Sequence, residues 1–277
     1  MGLTEYDQAV QYFTEALELS DGWVQNVDYD MNYYLAAAYR KNGQPAEAKK
    51  VYDAILGLKP EEKDAYFLRG SAELELGDYE SAKADFDKAI SMDPKNYDRL
   101  IEIYEALADY GYREVGQEYL QNVLNTDKKL DAYDSGRIYY YLGDYQKAYL
   151  ALEEAKGKGG VDSYLYLGKA YAATGDYNYA SSVYSNYLSK QGPDAEIYNQ
   201  LGLCELAKKD YQKALEAFQA GKQIEGNSLM QTLSFNEIVA YEYLQDYQKA
   251  AVLLKAYLQN YPDDQAAIRE QQFLSTR

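Results

Sequence analysis

A short string recurs along the chain and constrains the fold more than any other feature. It consists of Asp-Tyr, two variable residues and Ala, and it begins at Asp78, Asp144, Asp176, Asp210 and Asp246. From the second copy onward, successive copies lie 32, 34 and 36 residues apart. A regular period of this length predicts one supersecondary unit repeated in tandem.

Weaker copies fill the remaining sequence. Glu5 begins a near copy, and degenerate copies begin at Gly43 and Gly111. Together the strong and weak copies account for nearly the whole chain, which predicts a repeat array rather than a conventional globular domain.

Each copy has the pattern of two helices. In residues 63–96, Tyr66, Gly70 and Leu74 recur every four residues, which is the spacing of one helical face. Asp78 follows a glycine and is placed to accept hydrogen bonds from the free N–H groups of a second helix.

The second helix of the same copy carries Ala82, Phe86 and Ala89 on one stripe and ends at a proline. Gly70 and Ala82 are small enough for the two helix backbones to approach closely. Neither helix can bury its stripe alone, so the hairpins are expected to stack on one another with no β-sheet.

These features resemble the tetratricopeptide repeat (TPR) family. The period, the glycines seven residues apart, the Tyr–Ala–aromatic–Ala series and the prolines Pro60, Pro94 and Pro262 all match its pattern. The resemblance extends over nearly the whole chain. It implies an all-α, right-handed superhelical solenoid of stacked antiparallel helix hairpins, open rather than closed into a ring and about four-fifths helical.

On this pattern the chain is a single solenoid domain, 1–277. We expect a half repeat at 5–20, seven hairpins and a polar capping helix at 265–277. The hairpins are predicted at 29–62, 63–96, 97–128, 129–160, 161–194, 195–230 and 231–264. The copy at 97–128 departs most from the pattern, because Leu107 and Gly116 replace the usual Tyr and Ala.

The half repeat matches only a second helix, so its partner helix is missing. We expect Phe13 and Ala16 to be covered by Trp23 and Val24, by a second molecule, or by residues cut from a longer protein, with the cut favoured. Self-association through this half repeat is one of the possible outcomes.

Charge limits the kinds of partner. The chain has 28 Lys+Arg against 45 Asp+Glu, a net charge of −17. This balance argues against nucleic acid and anionic membrane surfaces and favours basic or neutral proteins. No stretch has the apolar length of a membrane span, so direct membrane insertion is not expected.

The sequence contains no histidine and one cysteine, Cys204. No metal site, cofactor or catalytic residue is predicted, because the commonest general base and the usual zinc ligands are missing. Cys204 takes the place of a small residue on a first helix, so we expect it to be buried and unreactive.

The family resemblance also implies that the first helix of each hairpin lines a concave groove where ligands bind. Projection onto that template gives a candidate peptide-binding set: Asp30, Tyr33, Asp64, Phe67, Asp98, Ile101, Tyr133, Arg137, Leu165, Lys169, Asn199 and Phe235. Aromatic anchors beside recurring acids are typical of a surface for a basic and apolar peptide. The alternative is that a chain with 34 tyrosines places Tyr on every surface.

The sequence therefore favours a non-catalytic protein- or peptide-binding scaffold or adaptor. Binding of acidic chaperone tails is not expected, because the Lys and Asn positions of that site are not matched. A peptide-sensing module of a larger regulator and a helical-toroid enzyme remain alternatives. The low cysteine content favours an exported or surface-anchored bacterial protein with its leading segment removed, and a cytoplasmic location is the alternative.

Overall fold

Helices in tandem make up the computed structural model, which describes residues 5–19 and 26–275, with side chains from 29 onward in the second range. Within these ranges the chain forms sixteen α-helices and no β-strand. Each helix packs mainly on its neighbours in sequence within two compact units, residues 1–127 and 128–277. The prediction of an all-α repeat array is confirmed.

Unit 1 contains one leading helix and three hairpins. Its helices are α1 (Glu5–Glu18), α2 (Asn26–Lys41), α3 (Pro45–Leu58), α4 (Lys63–Glu75), α5 (Tyr79–Met92), α6 (Tyr97–Asp109) and α7 (Arg113–Thr126). We call α2, α4 and α6 first helices, and α3, α5 and α7 second helices.

Unit 2 contains four hairpins and a closing helix. Its helices are α8 (Ala132–Tyr141), α9 (Tyr145–Ala155), α10 (Gly160–Ala173), α11 (Tyr177–Gln191), α12 (Ala195–Ala207), α13 (Tyr211–Lys222), α14 (Met230–Tyr243), α15 (Tyr247–Asn260) and α16 (Gln265–Leu274). The first helices are α8, α10, α12 and α14, and the second helices are α9, α11, α13 and α15.

The aspartate of the recurrent string caps the second helix. The side chains of Asp78, Asp144, Asp176, Asp210 and Asp246 each accept a hydrogen bond from the backbone N–H three residues later, at 3.0 to 3.4 Å. An N-terminal turn leaves such N–H groups without partners inside the helix. The motif therefore fixes where each of these second helices begins.

The turn before this cap requires a left-handed backbone. Gly77, Gly143 and Gly175 take φ values of +79°, +79° and +83°, a region that glycine enters without steric cost. In the α12–α13 and α14–α15 hairpins the same turn position is occupied by Lys209 and Gln245, at +64° and +62°.

Small residues on first helices allow close packing of large residues from second helices. A Cβ at Gly70 would lie 2.8 Å from the Phe86 ring, and one at Gly168 would lie 2.2 Å from the Tyr184 ring. Phe86 and Tyr184 are fully buried as a result. The glycine and the aromatic ring form one packing unit in each of these two hairpins.

The hairpin predicted to depart most from the pattern keeps this packing by exchanging the two sides. In α6–α7 the first helix carries the large residue, Tyr104, and the second helix carries the small one, Gly116. A Cβ at Gly116 would lie 2.9 Å from the Tyr104 ring. Tyr104 is 4% exposed, so the interface is closed in the reverse arrangement.

The leading helix α1 is the least covered element. None of its residues is buried, and the Phe13 ring stacks on Tyr34 of α2 with centroids 5.7 Å apart. Asn42 donates a hydrogen bond to Asp7 at 2.7 Å. Trp23 and Val24, predicted as possible covers for Phe13, lie outside the described residues.

Candidate functional site

The first helices of unit 1 carry an acid and an apolar residue at equivalent positions. We define the unit 1 face by Asp30 and Tyr33 on α2, Asp64 and Phe67 on α4, and Asp98 and Ile101 on α6. Each pair lies 34 residues after the preceding one. Since acid and apolar residue are three positions apart, they lie on the same side of their helix.

Exposure differs among these six side chains. Asp30 and Asp98 are exposed, whereas Tyr33, Asp64 and Phe67 are half-buried. Ile101 is only 5% exposed. The structure therefore leaves two of the three positions partly accessible and uses the third in the core.

Arg99 joins two of the candidate residues. Its Nη2 lies 2.8 Å from Asp64 Oδ1, and its guanidinium lies 4.0 Å from the centroid of the Phe67 ring. A second ion pair links Arg99 to Glu102 at 2.9 Å. Asp64, the candidate acid on α4, is thus paired with a cation of the same chain. The contact of Arg99 with the Phe67 ring shows how a guanidinium is held on this surface.

Tyr33 lies against the second helix of its own hairpin. Its ring centroid is 6.3 Å from that of Tyr52, and its hydroxyl is buried without a hydrogen-bond partner among the described residues. Burial, together with the nearby carboxylates Glu62 and Asp64, raises the pKa of the Tyr33 phenol well above its usual range. Tyr33 therefore remains a neutral donor at all physiological pH values.

In unit 2, Arg137, which was predicted as a cationic residue of the binding site, is packed inside the unit. Arg137 is 6% exposed. Its guanidinium lies 4.8 Å from the Tyr133 ring centroid and 5.9 Å from that of Tyr166. Because both aromatic partners hold the guanidinium inside the unit, Arg137 stabilises neighbouring first helices rather than presenting a charge to a ligand.

The remaining predicted residues of unit 2 also make internal contacts. Lys169 Nζ lies 3.6 Å from a carboxylate oxygen of Glu196, and buried Asn199 accepts a hydrogen bond from Asn236 at 2.8 Å.

Two half-buried residues complete the predicted set. Leu165 packs in the core cluster of α9 to α12, and the Phe235 ring lies 5.7 Å from that of Tyr257. The structure thus brings the predicted residues of unit 2 into contacts between and within hairpins.

Sequence reasoning missed Arg99, Tyr166 and Asn236. Each lies on a first helix, one position after a predicted site residue, and each contacts the preceding first helix. They could have been identified by projecting the sequence onto the family template a second time. That projection would select the residues that point from one first helix toward the preceding first helix.

Other types of site find little support in the described part of the chain. It contains no group of three or more metal-ligating side chains, and none of its helices is long and apolar enough to span a bilayer. Cys204 is 4% exposed, and burial raises the pKa of its thiol to about 12. A thiol that remains protonated is a poor nucleophile.

Comparison with known proteins shows similarity in sequence and similarity in structure. An FK506-binding protein-like protein of Mus musculus is 42% identical over 62 residues, which are 22% of this chain and 18% of that protein. The chain therefore matches less than a fifth of the relative's length.

Solved structures give the wider similarity. A tetratricopeptide repeat protein from Parabacteroides merdae superposes with a TM-score of 0.55 at 15% identity, over 85% of this chain and 92% of that one. A chain of the APC/C hetero-tetramer Cut9–Hcn1 superposes with a TM-score of 0.53 at 18% identity, over 97% of this chain and 52% of that one. At these identities the similarity shows the fold alone.

Family models described as tetratricopeptide repeat match residues 33–97, 165–228 and 235–264. These segments make up more than half of the chain, and they lie within the helix hairpins of both units. The chain belongs to the tetratricopeptide repeat family.

Proposed function

We propose that this chain is a non-catalytic scaffold that binds a basic and apolar segment of a partner protein along the unit 1 face. Tetratricopeptide repeat proteins generally act as protein-interaction scaffolds. The sequence lacks histidine, and the one cysteine is a buried thiol, which supports a role without catalysis.

The contact of Arg99 with Phe67 and Asp64 is the observation that carries the proposal. It places a guanidinium on an aromatic ring and within ion-pair distance of a carboxylate. The neighbouring first helix repeats this acid and ring with Asp30 and Tyr33, and Asp30 is exposed. A partner's Arg or Lys at this position would make the contacts that Arg99 makes one hairpin later.

Aromatic and acidic positions are expected to affect different steps of binding. Half-buried rings lose contact area when truncated, so Tyr33→Ala and Phe67→Ala should mainly shorten the lifetime of the complex, at about 1–2 kcal/mol each. Exposed acids act at a distance on an approaching cation, so Asp30→Lys should mainly slow association, and the effect should fade at high salt.

The test uses a displayed library of random peptides selected on the full chain, followed by kinetics of the enriched peptides on each variant. Enrichment of peptides that combine Arg or Lys with apolar residues is expected. Glu80→Lys, which makes the same charge change on the second helix α5, is the matched control and should bind like the unmodified chain. If Glu80→Lys weakens binding while Tyr33→Ala, Phe67→Ala and Asp30→Lys do not, the unit 1 face is not the binding surface.

A further inference from the structure

A cavity of about 230 Å³ lies in unit 2 where α13, α14 and α15 meet. Met230 and Leu253 form apolar parts of its wall, and the rings of Tyr257 and Tyr261 form aromatic parts. Ser234 opens onto the same space. The cavity lies in a different unit from the unit 1 face, so its role is independent of the proposed function.

Replacement of a tyrosine by Ser234 explains why this space is open. The equivalent residue on α10 is Tyr164, whose ring packs on Tyr187 of α11 with centroids 5.1 Å apart. In α14–α15 the two equivalent positions hold Ser234 and Tyr257. At these two positions α14–α15 has one ring where α10–α11 has two, and the cavity takes the place of the second.

A charged pair formed by half-buried Lys222 and buried Glu237 borders the cavity. Lys222 Nζ lies 2.6 Å from Glu237 Oε2, and Gln219 donates to Glu237 Oε1 at 2.8 Å. The Glu237 side chain is only 8% exposed. At the position of Glu237, the first helices α10 and α12 carry Leu167 and Leu201, whereas α4 carries Arg69, which pairs with Asp85.

Both members of the pair also line a second, more open space of about 400 Å³. The charged pair is therefore accessible from two sides although it lies between packed helices. The pair places a hydrogen-bond donor and an acceptor on the wall of both spaces.

The chemistry of the walls selects one kind of occupant. Because Lys222 and Glu237 neutralise each other, an added cation would face the ammonium group and an added anion would face the carboxylate. A neutral hydroxyl can accept from Lys222 and donate to Glu237 at once. The rings of Tyr257 and Tyr261 favour an aromatic group in offset or edge contact.

We propose that this cavity receives the phenol ring of a tyrosine side chain presented by a partner protein. The volume is sufficient, since an apolar cavity of about 150 Å³ holds a benzene molecule. The ring would take the place that Tyr164 fills in the α10–α11 hairpin, and its hydroxyl would meet the Lys222–Glu237 pair.

The methionines provide a direct measurement. The chain has four, Met1, Met31, Met92 and Met230, and Met230 lines the cavity. The protein is labelled with [methyl-¹³C]methionine and titrated with p-cresol, which is the tyrosine side chain with a hydrogen in place of the α-carbon. A saturable shift of the Met230 methyl resonance is expected, with Met31 and Met92 unchanged, because a bound ring would lie beside Met230 alone.

Filling the cavity should remove this response. Ser234→Tyr restores the residue found at Tyr164, and we expect it to weaken p-cresol binding at least tenfold. Ser234→Leu fills the space without a ring and serves if the first variant folds poorly, as judged by its helical circular dichroism. Ser182→Tyr, on the exposed side of α11, is the matched control and should bind p-cresol normally.

Toluene tests the polar part of the proposal. It should bind about five- to tenfold more weakly than p-cresol, because it leaves Lys222 and Glu237 without a hydroxyl partner. The double change Lys222→Leu with Glu237→Leu should abolish that preference while toluene still binds. Equal binding of the two ligands to the unmodified chain, or an unsaturable Met230 shift, would overturn the tyrosine assignment.

Discussion

Lys209 and Gln245 hold the backbone conformation that glycine holds in other hairpin turns. Their φ values, +64° and +62°, lie in the left-handed region. A side chain there brings Cβ close to the following carbonyl oxygen, which costs about 1–2 kcal/mol. The aspartates Asp210 and Asp246 that follow still cap the next helix, so the hydrogen bonds of the turn offset this strain.

We expect Lys209→Gly and Gln245→Gly to stabilise the protein by about 0.5–1 kcal/mol each, because strain is removed and only part of the gain is lost to the greater freedom of the unfolded chain. Thermal unfolding followed by circular dichroism measures the change. Gly175→Ala is the converse control: a Cβ there meets nothing within 4 Å, so its loss of stability would report the left-handed backbone alone. A lower melting temperature for both glycine variants would contradict the strain argument.

From the sequence, the candidate site could be predicted within each helix but not between helices. Helical periodicity places Asp64 and Phe67 on one side of α4, where both contact Arg99. Arg99 reaches Asp64 from 35 positions later in the chain. Such a contact depends on the distance between two helices and on a rotamer, and neither is encoded in the spacing of residues within one helix.

Within a hairpin, close packing of the two helices depends on the combined volume of two facing residues more than on the identity of either one. Gly70 with Phe86 and Tyr104 with Gly116 close equivalent interfaces from opposite sides. The sequence pattern predicted the hairpins well because it recurs in most copies. It could not predict the exchange in α6–α7, because a repeat motif records what each position usually holds and not how two positions compensate.

A double-mutant cycle should reveal this compensation. Gly116→Ala adds a methyl group against the Tyr104 ring, and we expect a loss of about 1–3 kcal/mol. Tyr104→Gly leaves a cavity and costs about 3–5 kcal/mol. In the double variant the added methyl group no longer meets the ring and keeps only its contacts with the residue 104 backbone, so the combined loss should be smaller than the sum of the two losses.

The control cycle pairs Gly116→Ala with Gly168→Ala in unit 2. Gly116 meets Tyr104 and Gly168 meets Tyr184, so the two changes disturb different neighbours and their losses should be additive. Urea denaturation of all variants supplies the values. Additive losses in the Tyr104–Gly116 cycle would show that the two residues do not compensate for each other.

Across the whole molecule, charge opposes compactness. The net charge is −17, and many of the basic side chains already lie in ion pairs, such as Arg69 with Asp85 and Lys222 with Glu237. The excess acids therefore repel one another in the folded chain more than in the expanded one. The repeat period predicted the helical array, whereas the excess of acidic residues is read from the amino-acid composition.

Salt should stabilise the protein. Raising NaCl from about 0.01 M to about 1 M shortens the screening length from about 30 Å to about 3 Å. We expect the melting temperature to rise by about 2–6 °C, which corresponds to roughly 1–2 kcal/mol for a chain of this size.

A charge-reduced variant separates screening from other effects of salt. Asp109 and Glu154 are exposed acids near the C-terminal ends of their helices, where a negative charge is unfavourable. Asp109→Asn with Glu154→Gln should raise the low-salt melting temperature and reduce the salt dependence. An unchanged salt dependence would mean that repulsion among the acids is not what salt relieves.

The exchanged packing of Tyr104 and Gly116 restricts the mutational history that this hairpin could have followed. Starting from the common arrangement, a change of alanine to glycine on the second helix costs only about 1 kcal/mol of helix propensity. A tyrosine introduced first would have met a Cβ where the structure allows none, since one at Gly116 would lie 2.9 Å from the ring. A lineage that avoided this clash at each step would therefore have acquired the glycine before the tyrosine, and reversion of the glycine alone would now cost about 1–3 kcal/mol.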